Sequence, residues 1–274
     1  MMAIITIARG SLNWGIHLAQ MLADSLDHEC ISRDMLLEDA ASKFKLDRNE
    51  LGKTLEKPPS FWERITGGRK KYLAILQSSL FDHACSGNMI YHGHAGHFLL
   101  DQIPFLFKIR LIAPIPMRVQ AAMESKQMNK IDAEQHIHEV DDIRTRWTKY
   151  LYDADWRDPI NYDLVVNLDS MKIETAKKMI CQAVEEDEFA VKQGDLIYIK
   201  NLCLASRVKA YLAIDRETES LEFDVSADDG VITLSGNIEI ETLRPLIVEI
   251  VKRTEGVRAV HDELTARRSS PIPT

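Results

Sequence analysis

Short β-branched runs alternate with helical segments from residue 3 to residue 188, and this alternation limits the fold more than any other feature. The runs AIITIA, NMIYHG, FKIRLIAP and YDLVVNL are typical of strands. Between them, apolar residues recur at helical spacing, as in Ile16, Leu18, Leu22 and Leu26. Strands that alternate with helices favour a parallel sheet covered on both faces. In such sheets, ligands bind beyond the carboxyl ends of the strands.

Two glycines follow the first strand with the spacing GxxxxG, at Gly10 and Gly15. This spacing is typical of a phosphate-binding loop, in which backbone N–H groups approach a phosphate at a helix N-terminus. In the complete motif, a lysine and a hydroxyl residue come next. Here those positions hold Ile16 and His17. The sequence therefore predicts a phosphate-binding loop that lacks its main cation.

The composition predicts a cytoplasmic protein with no transmembrane segment. The 274 residues are 45% hydrophobic and 28% charged, enough for one or two domains with a core. The net charge of −8 argues against nucleic acid or an anionic membrane as a partner. The start MMAIITIARG has no secretory pattern. Four scattered cysteines suit a reducing compartment, each as an isolated core residue: Cys30, Cys85, Cys181 and Cys203.

Four stretches of the first domain resemble the cytidylate kinase-like family, a branch of the P-loop nucleoside monophosphate kinases. They are ITIARGSLNWGIHLAQMLA, GHAGHFLLDQIP, LIAPIPMRVQAAMESKQ and DDIRTRWTKYLYDADWRDPINYDLVVN. The resemblance implies a P-loop kinase-like parallel sheet with flanking helices. It also implies transfer of phosphate from ATP, with Mg²⁺, to CMP, dCMP or another nucleoside monophosphate.

The resemblance assigns roles to individual residues. Nucleotide binding is expected at Arg9, Gly10, Ser11, Asn13, Gly15, Ile16 and His17. Substrate binding is expected at Arg33, Asp34 and His94. Catalytic roles are expected for Arg118, Arg144 and Arg146.

Several positions depart from the family pattern. Ile16 stands where the family has a basic residue, His17 where it has a carboxylate, and His94 where it has an arginine. Ile143 replaces a lid arginine, for which Arg146 is a candidate substitute. Loss of one pre-aimed charge costs about 3 kcal/mol, or roughly a hundredfold in rate. The sequence therefore predicts a nucleotide-binding protein with weak or no kinase activity and a regulatory or ligand-sensing role. An active kinase is the alternative.

The segment YHGHAGH raises a second alternative, a metal site. It places His92, His94 and His97 within six residues. Imidazole groups suit zinc or nickel. In the simpler interpretation, His94 faces a phosphate or water where the family has its arginine.

Residues 205 to 264 resemble the BON domain, on the stretches DDGVITLSGNI and EGVRAVHDEL. The resemblance implies a small α+β domain with the element order α-β-β-α-β. Gly230 and Gly236 would permit left-handed turns at the ends of a strand. Nine acidic residues and one base lie between Ala210 and Leu243, which disfavours anionic lipid.

The predicted organisation is therefore a kinase-like domain (1–188), a linker with a possible hairpin (189–204), a BON domain (205–266) and a disordered tail (267–274). The expected partners are a nucleotide or another small anion in the first domain and a protein or small ligand at the BON domain. The sequence leaves a homo-oligomer open.

Overall fold

The structure is a computed structural model that describes residues 2–9, 14–49, 51–52, 70–238 and 241–266. In the first domain the elements are β1 (Ala3–Ala8), α1 (Trp14–Leu26), β2 (Glu29–Ser32), α2 (Arg33–Phe44), α3 (Lys70–Ala84), β3 (Asn88–Gly93), α4 (Gly96–Leu99), β4 (Phe107–Ile112), α5 (Ile115–Lys126), α6 (Lys130–Tyr152), β5 (Leu164–Asn167) and α7 (Ile173–Ala183). They are followed by α8 (Gln193–Ile214), β6 (Asp224–Asp228), β7 (Val231–Ile238), α9 (Arg244–Arg253) and β8 (Ala259–Ala266).

Five parallel strands form the main sheet in the order β2-β3-β1-β4-β5. The central strand β1 pairs with β3 on one side and with β4 on the other, and all six of its residues are buried. A strand covered on both faces needs apolar residues throughout, which is why AIITIA reads as a continuous run. The predicted P-loop kinase-like sheet with flanking helices is confirmed.

Successive residues of β1 serve opposite faces of the sheet. Ile5 and Ile7 pack with Leu18 and Leu22 of α1, on the face that also holds α7. Ile4 packs into the other core, which α2, α3 and α8 cover. This division follows from the two-residue repeat of a strand.

The C-terminal domain has a three-stranded sheet in the order β6-β7-β8, in which β6 and β7 are antiparallel and β7 and β8 are parallel. Its core contains Ile232 and Leu234 of β7, covered by α8 and α9. The turn between β6 and β7 has positive φ at Asp229 (43°) and Gly230 (81°), as a two-residue hairpin turn requires. The predicted α-β-β-α-β order is confirmed.

Helix α8 lies at the junction of the two domains, where the sequence predicts a linker. The possible hairpin between 189 and 204 is wrong, because a continuous helix begins at Gln193 and extends to Ile214. Ile199 and Ala210 of this helix are buried in the first core, whereas Val208 and Leu212 are buried in the C-terminal core. A helix that is apolar on two sides has no single amphipathic stripe, and so its periodicity is weak in the sequence. The domain boundaries themselves remain predictions, and the tail 267–274 lies outside the described residues.

The cysteines differ from the prediction of four isolated thiols. Cys85, directly after α3, and Cys203 in α8 form a disulfide, whereas Cys30 and Cys181 are free. Within the described ranges, none of the helices combines the length and apolar character needed to cross a membrane.

Candidate functional site

A cavity of about 680 Å³ lies where β1, β2 and β3 end. Arg9 follows β1, Arg33 follows β2 as the first residue of α2, and His94 follows β3. Helix α6 closes the opposite side with Ile143 and Arg144. The cavity therefore occupies the position where parallel α/β sheets bind ligands. We call it the arginine cavity.

Three guanidinium groups face this cavity, from Arg9, Arg33 and Arg144. Burial lowers the pKa of Arg144 to about 10; the Asp141 carboxylate acts in the opposite direction, and the charges of Arg9 and Arg33 add to the lowering. Burial also lowers the pKa of Arg9. Both groups stay protonated at neutral pH, so the cavity concentrates positive charge away from bulk water. An anion bound there would offset the cost of desolvating these cations.

The side chain of Arg9 lies against the N-terminus of α1. A Cβ atom on Gly15 would lie 2.3 Å from the Cβ atom of Arg9 and 2.8 Å from its Cδ atom. Gly15 therefore leaves room for the Arg9 side chain to pass over the helix N-terminus. Ile16 lies at the edge of the cavity with 43% of its surface exposed, and His17 is exposed outside it. The predicted loop residues Gly10, Ser11 and Asn13 lie outside the described residues.

Tyr91 forms part of the wall between the strand ends and the arginines. Its ring lies across the turn after β3, because a Cβ atom on Gly93 would be 2.3 Å from the Tyr91 hydroxyl and one on Gly96 would be 2.2 Å from the ring carbon Cδ1. Burial raises the pKa of Tyr91 to about 12, although Arg33, Arg9 and Arg144 act in the opposite direction. The phenol is therefore neutral and remains a hydrogen-bond donor.

The far wall of the cavity is apolar. It is formed by leucine residues of α2 and α3 together with aliphatic and aromatic residues of α4 and α6: Leu36, Leu37, Leu73, Leu76, Leu99, Val140, Ile143, Trp147 and Leu151. A ligand with an anionic group at the arginines can place an apolar or aromatic part against this wall.

Two of the three predicted catalytic arginines do not line the cavity. Arg118 of α5 donates two hydrogen bonds to Asp141, each 2.8 Å long, in a bidentate pair. Arg146 pairs with Asp142 one turn earlier on α6, and both side chains are more than half exposed. Arg146 therefore does not replace the lid arginine lost at Ile143. Only Arg144 reaches the cavity from this group.

The predicted substrate residues have unequal positions. Arg33 faces the cavity, whereas Asp34 lies at its rim with 80% of its side chain exposed and pairs with Arg48 at 3.3 Å. His94 also lines the cavity. Burial, with help from Arg144, lowers the pKa of His94 well below its ordinary value. His94 is therefore neutral and does not supply the charge of the arginine that the family has at this position.

The three histidines of the predicted metal site, His92, His94 and His97, lie in different surroundings, and the site stays a prediction. Among the residues that the structure describes, no three His, Cys, Asp or Glu side chains are grouped so that they could hold a metal ion. The ring of His97 packs on Tyr162 with 4.6 Å between centroids, whereas His94 meets the edge of Trp156. Burial lowers the pKa of His92 to about 4 and of His97 to about 3. His92 and His97 are buried in the core, whereas His94 lines the arginine cavity.

In kinases Mg²⁺ is held largely by one or two carboxylates and the phosphates of the nucleotide. Two carboxylates line the arginine cavity, those of Asp34 and Glu139, and they are the described cavity residues that would hold the ion together with bound phosphates.

Sequence analysis missed the aromatic residue that positions Arg144. The ring of Trp156 lies 5.8 Å from the Arg144 guanidinium and 5.0 Å from that of Arg110. The indole N–H of Trp156 donates a 3.1 Å hydrogen bond to Thr145, and the Tyr162 hydroxyl donates to the Trp156 carbonyl at 2.7 Å. The DWRDPINYD stretch therefore builds a turn that supports the cavity from behind. The unusual sequence of this stretch could be recognised, but the contact between Trp156 and Arg144 could not be predicted from it.

Comparisons with known proteins agree with the fold. A model of the cytidylate kinase-like family matches residues 4–170, and a model of the BON domain matches residues 203–268. An uncharacterized protein from Eubacterium ventriosum is similar in structure, with a TM-score of 0.54, 17% identity, and coverage of 68% of this chain and 99% of that chain. A shikimate kinase from Bacteroides thetaiotaomicron has a TM-score of 0.42, 14% identity, and coverage of 68% and 100%. A dephospho-CoA kinase from Campylobacter jejuni has a TM-score of 0.35, 12% identity, and coverage of 66% and 96%. No curated protein matches the chain.

Proposed function

The chain belongs to the cytidylate kinase-like family and carries a BON domain, and from this premise we propose that it binds a nucleotide through its phosphates while its phosphoryl transfer is weak or lost. One observation carries the proposal. Arg9, Arg33 and Arg144 come from separate elements and meet at one cavity beyond the strand ends. Converging cations of this kind recognise phosphate in kinases.

The weak transfer follows from what the cavity lacks. Phosphoryl transfer depends on cations that hold both donor and acceptor in line and neutralise the moving group. Ile16 places an aliphatic chain where the family has a basic residue. Arg118 and Arg146 are engaged by Asp141 and Asp142. Among the residues that the structure describes, the cavity keeps three arginines for one phosphorylated ligand, whereas neither Arg118 nor Arg146 belongs to its lining.

The BON domain gives this binding a regulatory or ligand-sensing role. Helix α3 supplies Leu73 and Leu76 to the cavity wall, and its opposite side packs on α8. Helix α8 in turn belongs to the core of the BON domain. A ligand that shifts α3 in the cavity wall would therefore act on the BON domain through α8.

Calorimetric titration tests the binding with CMP, CDP and ATP in the presence of Mg²⁺. We expect at least one of them to bind, and we expect Arg144→Met to weaken that binding by at least tenfold, since a buried hydrogen-bonded charge is worth about 2 kcal/mol or more. Arg146→Met is the matched control, because it removes an exposed arginine from the same helix. Absence of binding to all three nucleotides, or equal losses in both variants, contradicts the proposal.

An active nucleoside monophosphate kinase is the second candidate, and the position of Arg9 favours it. Its side chain passes over Gly15 at the helix N-terminus, where it can replace the cation missing at Ile16. A coupled assay with ATP and CMP, dCMP or UMP separates the two candidates. Turnover of a few per second or more, close to the roughly 10 per second of ordinary enzymes, would establish the second candidate.

A further inference from the structure

A second cavity, of about 220 Å³, lies between the two domains, and we call it the junction cavity. Gln77 and Phe81, one turn apart on α3, form its wall on the side of the first domain, and residues 225–227 of β6 form its wall on the other side. One face of α8 forms the floor, because the lining residues of this helix recur every three or four positions: Tyr198, Asn201, Leu202, Ala205, Ser206 and Lys209. The volume is below the roughly 300–1,000 Å³ of pockets for drug-sized ligands, so the cavity suits a smaller molecule.

Lys209 gives this cavity a positive charge. Among the residues that the structure describes, Lys209 is the one charged residue in the lining, and within the same ranges it makes no hydrogen bond or ion pair. Other cations at the junction of the domains are paired, Lys71 with Glu219 at 3.2 Å and Arg207 with Asp82 at 2.8 Å. Lys209 is half-buried, so an anionic group in the cavity would supply the countercharge that its neighbours already have.

The neutral polar residues of the cavity direct their donors away from it. The hydroxyl groups of Tyr198 and Ser206 donate to backbone carbonyls at 3.0 Å and 2.8 Å. The side-chain amide of Gln77 donates to another backbone carbonyl at 2.9 Å. The oxygen atoms of these side chains remain acceptors. A ligand that uses them needs hydrogen-bond donors of its own besides an anionic group.

The strand wall favours a donor that is positively charged. Asp224 and Asp228 are the first and last residues of β6, and they flank the three residues of this strand that line the cavity. Asp228 lies beside the floor, since one of its oxygens is 3.5 Å from the amide nitrogen of Asn201. An ammonium group near these carboxylates gains energy that a neutral hydroxyl does not. The cavity therefore combines surroundings for an anion at Lys209 with surroundings for a cation at β6.

We propose that the junction cavity binds a neutral amino acid as its zwitterion. The carboxylate of the ligand pairs with Lys209, and its ammonium group donates to side-chain oxygens of the cavity. Phe81 and Val225 present apolar surface to its side chain. This ligand would contact both domains at once, and its binding does not depend on the nucleotide proposed for the arginine cavity.

Calorimetric titration of the full chain with each neutral amino acid tests the proposal. We expect at least one of them to bind, and we expect Lys209→Met to weaken that binding by about tenfold or more, as for a lost hydrogen bond between charged groups. Lys209→Met removes no ion pair between described residues, so it should unfold at the same denaturant concentration as the wild type. Lys200→Met is the matched control, because it removes an exposed lysine of α8 that lies outside the cavity lining, and its affinity should equal that of the wild type.

Two analogues of the amino acid that binds test the two charged groups separately. The amine that lacks the carboxylate and the acid that lacks the amino group should each bind at least about tenfold more weakly than the amino acid. Equal affinity of the acid and the amino acid would mean that the ammonium group is not recognised, and the ligand class would be overturned.

The remaining outcomes concern the location. If the wild type binds none of the neutral amino acids, the proposal fails and Lys209 serves only the surface. If an amino acid binds and Arg144→Met weakens it while Lys209→Met does not, the ligand occupies the arginine cavity, and the assignment to the junction cavity is wrong.

Discussion

Ile16 is the residue at which the cavity departs most from a working kinase site. Its side chain is 43% exposed at the cavity edge, so a lysine there would keep its ammonium group in contact with water and with the cavity. We expect Ile16→Lys to change the free energy of unfolding by no more than about 0.5 kcal/mol. We expect it to raise ATP affinity or kinase turnover by about tenfold or more, since a phosphate gains a pre-aimed cation.

Ile160→Lys is the control for this change, because Ile160 is 83% exposed and does not line the cavity. Calorimetry and the coupled kinase assay measure the effect. Equal gains in both variants would mean that added charge acts through the whole protein surface and not through the loop.

His97 predicts a pH dependence of stability. Burial lowers its pKa to about 3, below the ordinary value of about 6.5 that applies in the unfolded chain. The unfolded state therefore takes up a proton first, and the contribution of neutral His97 to stability is present above pH ~6.5 and is lost as pH falls toward ~3. His97 therefore contributes up to about 1.4 kcal/mol per pH unit to the slope of the free energy of unfolding against pH below 6.5.

Denaturant unfolding of His97→Gln at pH 7, 6 and 5 isolates this share. We expect a shallower loss of stability with falling pH than in the wild type, whatever the absolute stability of the variant. His138→Gln removes an exposed histidine of α6 and should leave the slope unchanged. A wild-type slope in His97→Gln would show that the pKa of His97 is the same in the folded and unfolded states.

At the scale of elements, one carboxylate joins three helices. Asp82 of α3 pairs with Lys43 of α2 and accepts a 2.8 Å hydrogen bond from Arg207 of α8. Arg207 also donates to the Glu255 carbonyl at 3.0 Å, beyond α9. All three charged side chains are about one-quarter exposed. Asp82 is therefore one electrostatic link between the sheet domain and the C-terminal domain, beside the 3.2 Å pair of Lys71 with Glu219.

We expect Asp82→Asn to lower the free energy of unfolding by about 2 kcal/mol, because it leaves two partly buried cations without a countercharge. Burial already lowers the pKa of Lys43, which indicates that its charge depends on Asp82. Asp142→Asn breaks the exposed pair with Arg146 and should cost about 0.5 kcal/mol or less. Chemical denaturation compares the two, and equal losses would contradict the special position of Asp82.

The order of elements could be predicted because strand and helix periodicities are local. Each of β1, β3, β4 and β5 coincides with one of the apolar runs that predict strands. The pairing of Arg118 with Asp141 could not be predicted, because the two residues are 23 positions apart and meet only after α5 packs on α6.

At the scale of the whole molecule, helix α8 is the element that local sequence patterns do not predict. A helix that serves two cores carries apolar residues on both sides, so its sequence marks neither a single face nor a boundary. The predicted division at 188 therefore assigns all of α8 to the linker and the BON domain. The structure instead uses α8 to cover α3, where Phe81 and Ile75 are almost fully buried.

Two truncated chains test this use of α8. A chain that ends at residue 188 would expose the side of α3 that Ile199, Cys203 and Ala210 now cover. Each large apolar side chain returned to water costs about 1.5–3 kcal/mol, and a few of them equal the roughly 5–15 kcal/mol stability of a typical domain. We expect this chain to lose cooperative unfolding and near-ultraviolet circular dichroism. A chain that ends at residue 216 keeps the helix and should retain both, although its exposed Val208 and Leu212 will favour self-association. If the shorter chain unfolds as cooperatively as the longer one, α8 stabilises only the BON domain, and the division at 188 is the correct boundary.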